Sequence, residues 1–377
     1  MHVSPLSRPL RAAVTSTLLC GALVATGGAA QARDRIPWPA PTPGEQEVLA
    51  DGLLGPLSLA VGPHDTAYVS QAFGGTIDAV RRGEVTPLLT ADPGAEPGSL
   101  SAEGRRIYYT TSVAAATPDF DAHLLVRDAQ GRTEHLADIG AYERAANPDG
   151  GTQYGFGDLD QTCLDQLPEL IPGSYTGGVD SHPYATALWH GQVFVADAGS
   201  NAVFAVDRGG EVSTLAVLPP APLRVTAEVA EALGLPDCTV HHDYLLESVP
   251  TDVEVGTDGW LYVTSLPGGP EGPGPFPPLG AVFKVDPKTG ETQLVARGLT
   301  GATNLAIGTK GEIYVTELFA NRVSVIPRGS TTPQPFLDLV LPAAVEFDGR
   351  SLYVTTEALP GEGAPPSGKV VKVSLRR

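Results

Sequence analysis

Gly52 to Val80 (GLLGPLSLAVGPHDTAYVSQAFGGTIDAV) aligns without a gap on Gly298 to Ile326 (GLTGATNLAIGTKGEIYVTELFANRVSVI), and the glycines, the turn and the aromatic position coincide. Self-similarity of this kind restricts the chain to a repeat architecture in which each unit buries its apolar face against the next. The unit is clearest in Glu247 to Gly269 (ESVPTDVEVGTDGWLYVTSLPGG). Val253, Val255, Leu261 and Val263 take one parity, Gly256 to Gly259 supply turn chemistry, and Pro250 leads the first strand. A single hairpin is barely stable in water, so the units must pack together.

The same register places Tyr68, Tyr262 and Tyr314 at one second-strand position, and shorter first turns add Tyr108, Phe194 and Tyr353. Each of these six units continues into a third strand, and all but the last into a fourth. The missing outer strand can come from the other end of the chain, because Glu45 to Leu53 (EQEVLADGL) resembles Glu291 to Leu299 (ETQLVARGL). The expected fold is all-β, a six-bladed β-propeller with four-stranded blades whose N-terminal strand closes the last blade. Abundant glycine and proline without a G-X-Y period favour short strands and turns in the same way.

The second-strand aromatics are separated by 40, 86, 68, 52 and 39 residues. The longer steps require insertions, placed at about 141–179, 219–247 and 266–279. The last is a Pro/Gly-rich loop, and within the second Val225 to Leu233 has helical composition that stops at Gly234. Loops on a rigid scaffold are common seats of function.

Arg8 and Arg11 precede an apolar run, Ala12 to Ala25, and Ala30-Gln31-Ala32 is a small-x-small site. Residues 1–32 read as a signal peptide that takes Cys20 with it, leaving 33–377 as a single propeller domain that is secreted and monomeric, with no membrane insertion after cleavage. Loss of the two arginines takes the formal net charge from −19 to −21. That acidity excludes nucleic acid as a partner, because phosphate contacts need clustered basic residues. Cys163 and Cys238 remain, one in each of the first two insertions, and export favours a disulfide between them.

In each innermost strand, the positions two and four after the leading residue alternate with the apolar ones and are expected to face the central channel. Most are small: Ser58 and Ala60, Ser99 and Ser101, Ala185 and Ala187, Ala306, Ala344. Asp252, Glu254, Asn304 and Glu346 are the polar exceptions. Their oxygens suit a hard cation such as calcium, and crowding of like charges would raise a carboxyl pKa. A solvated channel accounts for the same residues. His182, just before Pro183, is a further candidate at the channel entrance, or a hydrogen-bonding structural residue.

Other chemistry is weaker. Asn147 to Gly151 with Asp158 and Asp160 lacks the ligand order of an EF-hand and reads as a turn-rich loop. His241-His242-Asp243 is compact enough to touch a metal, but adjacent histidines on a strand face opposite ways. No G-x-S-x-G turn, C-x-x-C pair, H-E-x-x-H helix or phosphate loop is present, so no catalytic residue is assigned.

Val195 to Val203 (VADAGSNAV) resembles the strand-turn-strand of NHL-type repeats. Together with SHPYAT (Ser181 to Thr186), LPP (Leu218 to Pro220), ESVPTDVEVGTDGWLYVTSLPGGPE (Glu247 to Glu271) and IYVTELF (Ile313 to Phe319), it makes the chain similar to the ScyD/ScyE family. The resemblance implies an exported six-bladed propeller and supplies no catalytic residues. Two function classes follow: an extracellular module binding a small molecule or a protein at its loop-rich mouth, and a metal-assisted lactonase-like hydrolase or lyase using the channel carboxylates.

Overall fold

The computed structural model describes residues 40–376 except 116, 118, 270–277 and 362. The leader expected at 1–32, with Cys20, lies outside the described residues, as does most of the 266–279 insertion. Among the described residues, no helix is long and apolar enough to cross a membrane.

The repeated units fold into antiparallel sheets in chain order. The first contains Pro56–Gly62, Thr66–Gln71, Thr76–Arg81 and Glu84–Thr90; the second contains Ala95–Glu103, Arg106–Val113, Asp121–Arg127 and Thr133–Asp138. The third contains Pro183–Trp189, Gln192–Asp197, Ala202–Val206 and Val212–Val217. Ala302–Ile307, Ile313–Glu317, Arg322–Ile326 and Gln334–Asp338 make the fifth sheet. In the sixth, Val345–Asp348, Ser351–Thr356 and Gly368–Arg376 are joined by the N-terminal strand Thr42–Leu53, which pairs with Gly368–Arg376 as the terminal match predicts. Each innermost strand packs on those of its neighbours, Val345–Asp348 meets Pro56–Gly62, and the cycle closes as an all-β propeller.

The fourth sheet departs from the expected four strands. Five sheets are four-stranded, whereas this one has seven: Asp243–Val255, Leu261–Gly268, Gly280–Val285 and Thr292–Leu299 are extended by Gln153–Phe156, Ser174–Thr176 and Ala221–Arg224. Pro250 therefore does not begin its strand. The strand starts seven residues earlier, at Asp243, because its first half offers both edges to backbone of the two long insertions.

Those insertions carry their own small core. Phe156, Val225, Ala230, Leu235, Tyr244 and Leu246 are buried together, with Leu164, Leu167 and Ile171 packed against them. Cys163 and Cys238 are joined beside it, with Cα atoms 6.0 Å apart. The predicted helix begins two residues late, at Ala227–Leu233, because the Thr226 hydroxyl caps it by accepting from the Val229 N–H; Gly234, at φ 66°, ends it. The 141–179 segment is more ordered than a loop: Asp138 caps a helix over Ile139–Ala146, and Asp160 caps a short turn of helix at Gln161–Leu164.

The parity rule for the innermost strands needs correction. Ala60, Ala185, Ala187, Ala306 and Ala344 do not face the channel but pack in apolar clusters between sheets. Propeller sheets stand radially, so both faces of a strand look onto neighbouring sheets. Near the axis those seams are narrow, and this selects small side chains.

Candidate functional site

Asp252 and Asn304 occupy the same position on adjacent innermost strands, and both reach across the seam. Asp252 Oδ2 accepts a 2.7 Å hydrogen bond from the Leu305 N–H, and Asn304 Oδ1 accepts one of 2.6 Å from the Val345 N–H. Each therefore satisfies a backbone donor of the following sheet as well as bringing polarity to the axis. Glu254 and Glu346, one alternation further on, are only partly exposed.

The structure brings the three carboxyls within electrostatic reach of one another. Burial raises Asp252 to about 7 against the opposing N–H donors of Leu305 and Val253, and the residue is only 4% exposed. Burial, then the charges of Glu346 and Asp252, holds Glu254 well above the usual carboxylate range. Glu346 is raised by burial and by Asp252. All three groups are therefore pushed toward the protonated form, in which a carboxylic acid can donate a hydrogen bond.

His182 stands where the chain enters the innermost strand of the third sheet. Its placement comes from Asp197, a fully buried carboxylate that accepts from the His182 N–H (2.8 Å), the Gly199 N–H (3.0 Å) and the Ser181 hydroxyl (2.6 Å). Burial pushes the imidazole down, but Glu96, followed by Asp197 and Asp180, outweighs this and leaves it above its ordinary value. Nε2 of His182 lies 3.8 Å from Glu96 Oε1, and the ring meets Tyr184 edge-on with centroids 5.7 Å apart. Burial raises the Tyr184 hydroxyl, with Glu96 and Asp252 adding to the effect, so this ring links the entrance to the channel acids.

Glu96, Tyr184 and Asp197 were not among the sequence candidates. Asp197 lies within the VADAGSN turn, and a carboxylate followed by glycine and serine is the available signal for a backbone-binding hub. Glu96 and Tyr184 flank leading prolines, and only closure of the ring brings them together.

The remaining motifs have structural partners. Asp149 is buried, accepting from the Tyr154 hydroxyl at 3.1 Å and the Asn201 amide at 2.8 Å. His241 sits in a left-handed turn rather than on a strand, His242 Nδ1 lies 3.0 Å from Asp158 Oδ1, and Asp243 pairs with Arg224. A separate groove of about 1010 Å³ lies between the second and third sheets, lined by Trp189, Tyr108 and Arg106 among others. It is at the far end of the strand Pro183–Trp189 from His182.

The closed ring of sheets defines a β-propeller, with Asp252, Glu254 and Glu346 gathered on its innermost strands. No family model and no curated protein matches the chain. Among solved structures it is similar to a streptogramin B lyase (TM-score 0.52, 14% identity, covering 90% of this chain and 100% of that one). A gluconolactonase from Xanthomonas campestris aligns with TM-score 0.54 at 11% identity over 90% and 95% of the two chains, and a glucose dehydrogenase with 0.50 at 14% over 88% and 99%. At these identities the likeness speaks for the fold alone.

Proposed function

We propose that this protein is an exported propeller of the ScyD/ScyE type that holds a small ligand at the insertion-side mouth of its channel, together with a hard cation on the channel carboxylates. The seven-stranded sheet is read as a sixth, enlarged blade, and the protein as a secreted monomer. The observation carrying the reading is the electrostatic link from Glu96 and His182, at the strand-entry end of the ring, through Tyr184 to Asp252, whose charge acts in turn on Glu254 and Glu346 further along the innermost strands. Acceptors and acids predominate there, so the site favours ligands carrying positive charge or many hydrogen-bond donors.

Calcium is the probe for the cation. Calorimetric titration of the chelator-treated mature protein should give one equivalent of bound Ca²⁺, and Glu254→Gln with Glu346→Gln should abolish it while leaving the fold intact. No binding, or equal binding by both proteins, would overturn the channel cation.

A second reading, a hydrolase or lyase, is favoured by Asp252, whose raised value suits proton transfer near neutral pH. Because a gluconolactonase shares the fold, δ-gluconolactone is the first substrate to try. Turnover that falls at least about a hundredfold in His182→Ala would support it; no turnover by the wild type would leave the binding module.

A further inference from the structure

The second sheet carries a different cluster on its outer strands. Asp121 and His123 lie two residues apart on Asp121–Arg127, so their side chains leave the same face. His123 stands opposite Asp138, the last residue of Thr133–Asp138. One ligand atom from each of Asp121, His123 and Asp138 falls within 4.8 Å of the others, and Asp121 Oδ2 is 3.0 Å from His123 Nε2. A second imidazole, His135, packs edge-on against His123 with centroids 5.0 Å apart.

Both carboxylates are held in place by a backbone N–H. Asp121 Oδ1 accepts from the Ala122 N–H at 3.1 Å, and Asp138 Oδ1 from the Ala141 N–H at 2.7 Å, where it caps the helix Ile139–Ala146. Among the described residues neither carboxylate forms an ion pair with lysine or arginine. Asp121 is 48% and His123 25% exposed in the side chain, so an ion can enter and the groups can rotate to close on it.

We infer that Asp121, His123 and Asp138 form a binding site for a divalent transition-metal ion of the zinc class, with His135 supplying a second imidazole. Mixed nitrogen and oxygen donors suit Zn²⁺, Cu²⁺ or Ni²⁺, whereas a calcium site would be built from oxygens alone. Zinc bonds of about 2.0 to 2.2 Å require the three atoms to draw in slightly from their present spacing, a movement that exposed side chains can make. The bound ion would tie both outer strands to the helix that opens the first insertion, bracing that insertion against the propeller.

The test uses chelator-treated mature protein titrated with Zn²⁺, and with Co²⁺ as a spectroscopic substitute. One equivalent should bind, Co²⁺ should develop the visible absorption of a low-coordinate nitrogen and oxygen site, and His123→Ala should weaken binding by at least about tenfold. Asp138→Asn keeps the helix cap and should weaken binding comparably, so the test survives if one variant folds poorly. Glu254→Gln with Glu346→Gln should leave Zn²⁺ binding unchanged, separating this site from the channel. Absence of stoichiometric binding in the wild type, or wild-type affinity in both His123→Ala and Asp138→Asn, would overturn the assignment.

Discussion

The side-chain hydroxyl of Thr110, in the second sheet, donates a 2.6 Å hydrogen bond to the carbonyl oxygen of Pro183, which leads the innermost strand of the third. The Thr110 hydroxyl oxygen in turn accepts from the Ser99 N–H at 2.9 Å. This bridge recurs around the ring. Ser70 donates to Pro97, Thr251 to Ala302 at 2.8 Å, and Thr303 and Thr316 to Ala343 at 2.8 and 3.0 Å. A register shift follows Pro97, Pro183 and Ala302 in their own sheets, and the carbonyl of each accepts from the preceding sheet.

Thr110→Val should therefore destabilise by about 2 to 3 kcal/mol, since it leaves a buried N–H and a buried carbonyl without partners. The exposed Thr86→Val should change stability by no more than about 0.5 kcal/mol. Urea denaturation of the two variants makes the comparison.

The channel acids set a pH dependence. Folded Asp252 keeps its proton up to about pH 7, whereas in the unfolded chain the carboxyl titrates near 3.8. The folded state thus binds more protons between these values, so its contribution to stability is complete below the lower value and is lost as pH rises through the upper one. Glu254 and Glu346 act in the same direction. Melting temperature should fall between about pH 4.5 and pH 8, and Glu254→Gln with Glu346→Gln should flatten the fall and melt higher at the alkaline end.

Glu143 offers a sharper test of the same linkage. It is 0% exposed, neither carboxyl oxygen has a side-chain hydrogen-bond partner, and burial, reinforced by Asp197 and Asp149, raises it to about 8. Its contribution is lost as pH rises through that value. Glu143→Gln should be close to neutral at about pH 5 and stabilise by roughly 1 to 3 kcal/mol at about pH 9, measured by chemical denaturation.

Removing the Cys163–Cys238 bridge by double substitution to alanine should cost about 2 to 4 kcal/mol. The loss should be local. The insertions have their own core, so limited proteolysis should cut within 157–241 while the propeller sheets survive.

Deleting residues 33–53 should be more damaging. Ala50 and Leu53 are buried with Val370 and Tyr353, and removal of their strand strips the edge from Gly368–Arg376. Loss of cooperative unfolding, or a sharply lower midpoint in a thermal scan, is the expected result; an unchanged midpoint would contradict closure by this strand.

The sequence by itself determined the repeat, its strand order, the closing strand and the cysteine pair, because each follows from short-range alternation, turn chemistry or a count of residues. It also displayed the hydroxyl two residues after the second-strand tyrosine, in Ser70, Thr110, Thr264, Thr316 and Thr355, although its bridging role is readable only with the seams in view. Tertiary structure decided the rest. Alternation gives two faces to a strand but does not say that both look onto neighbouring sheets, so Asp252 and Asn304 serve as seam acceptors and the alanines as packing. Nor does local pattern reveal that Glu96 and His182, 86 positions apart, become neighbours, or that the strand Asp243–Val255 recruits three more strands. Those outcomes depend on ring closure and on unpaired backbone groups finding partners distant in the chain, and burial at the axis then sets the protonation of the acids gathered there.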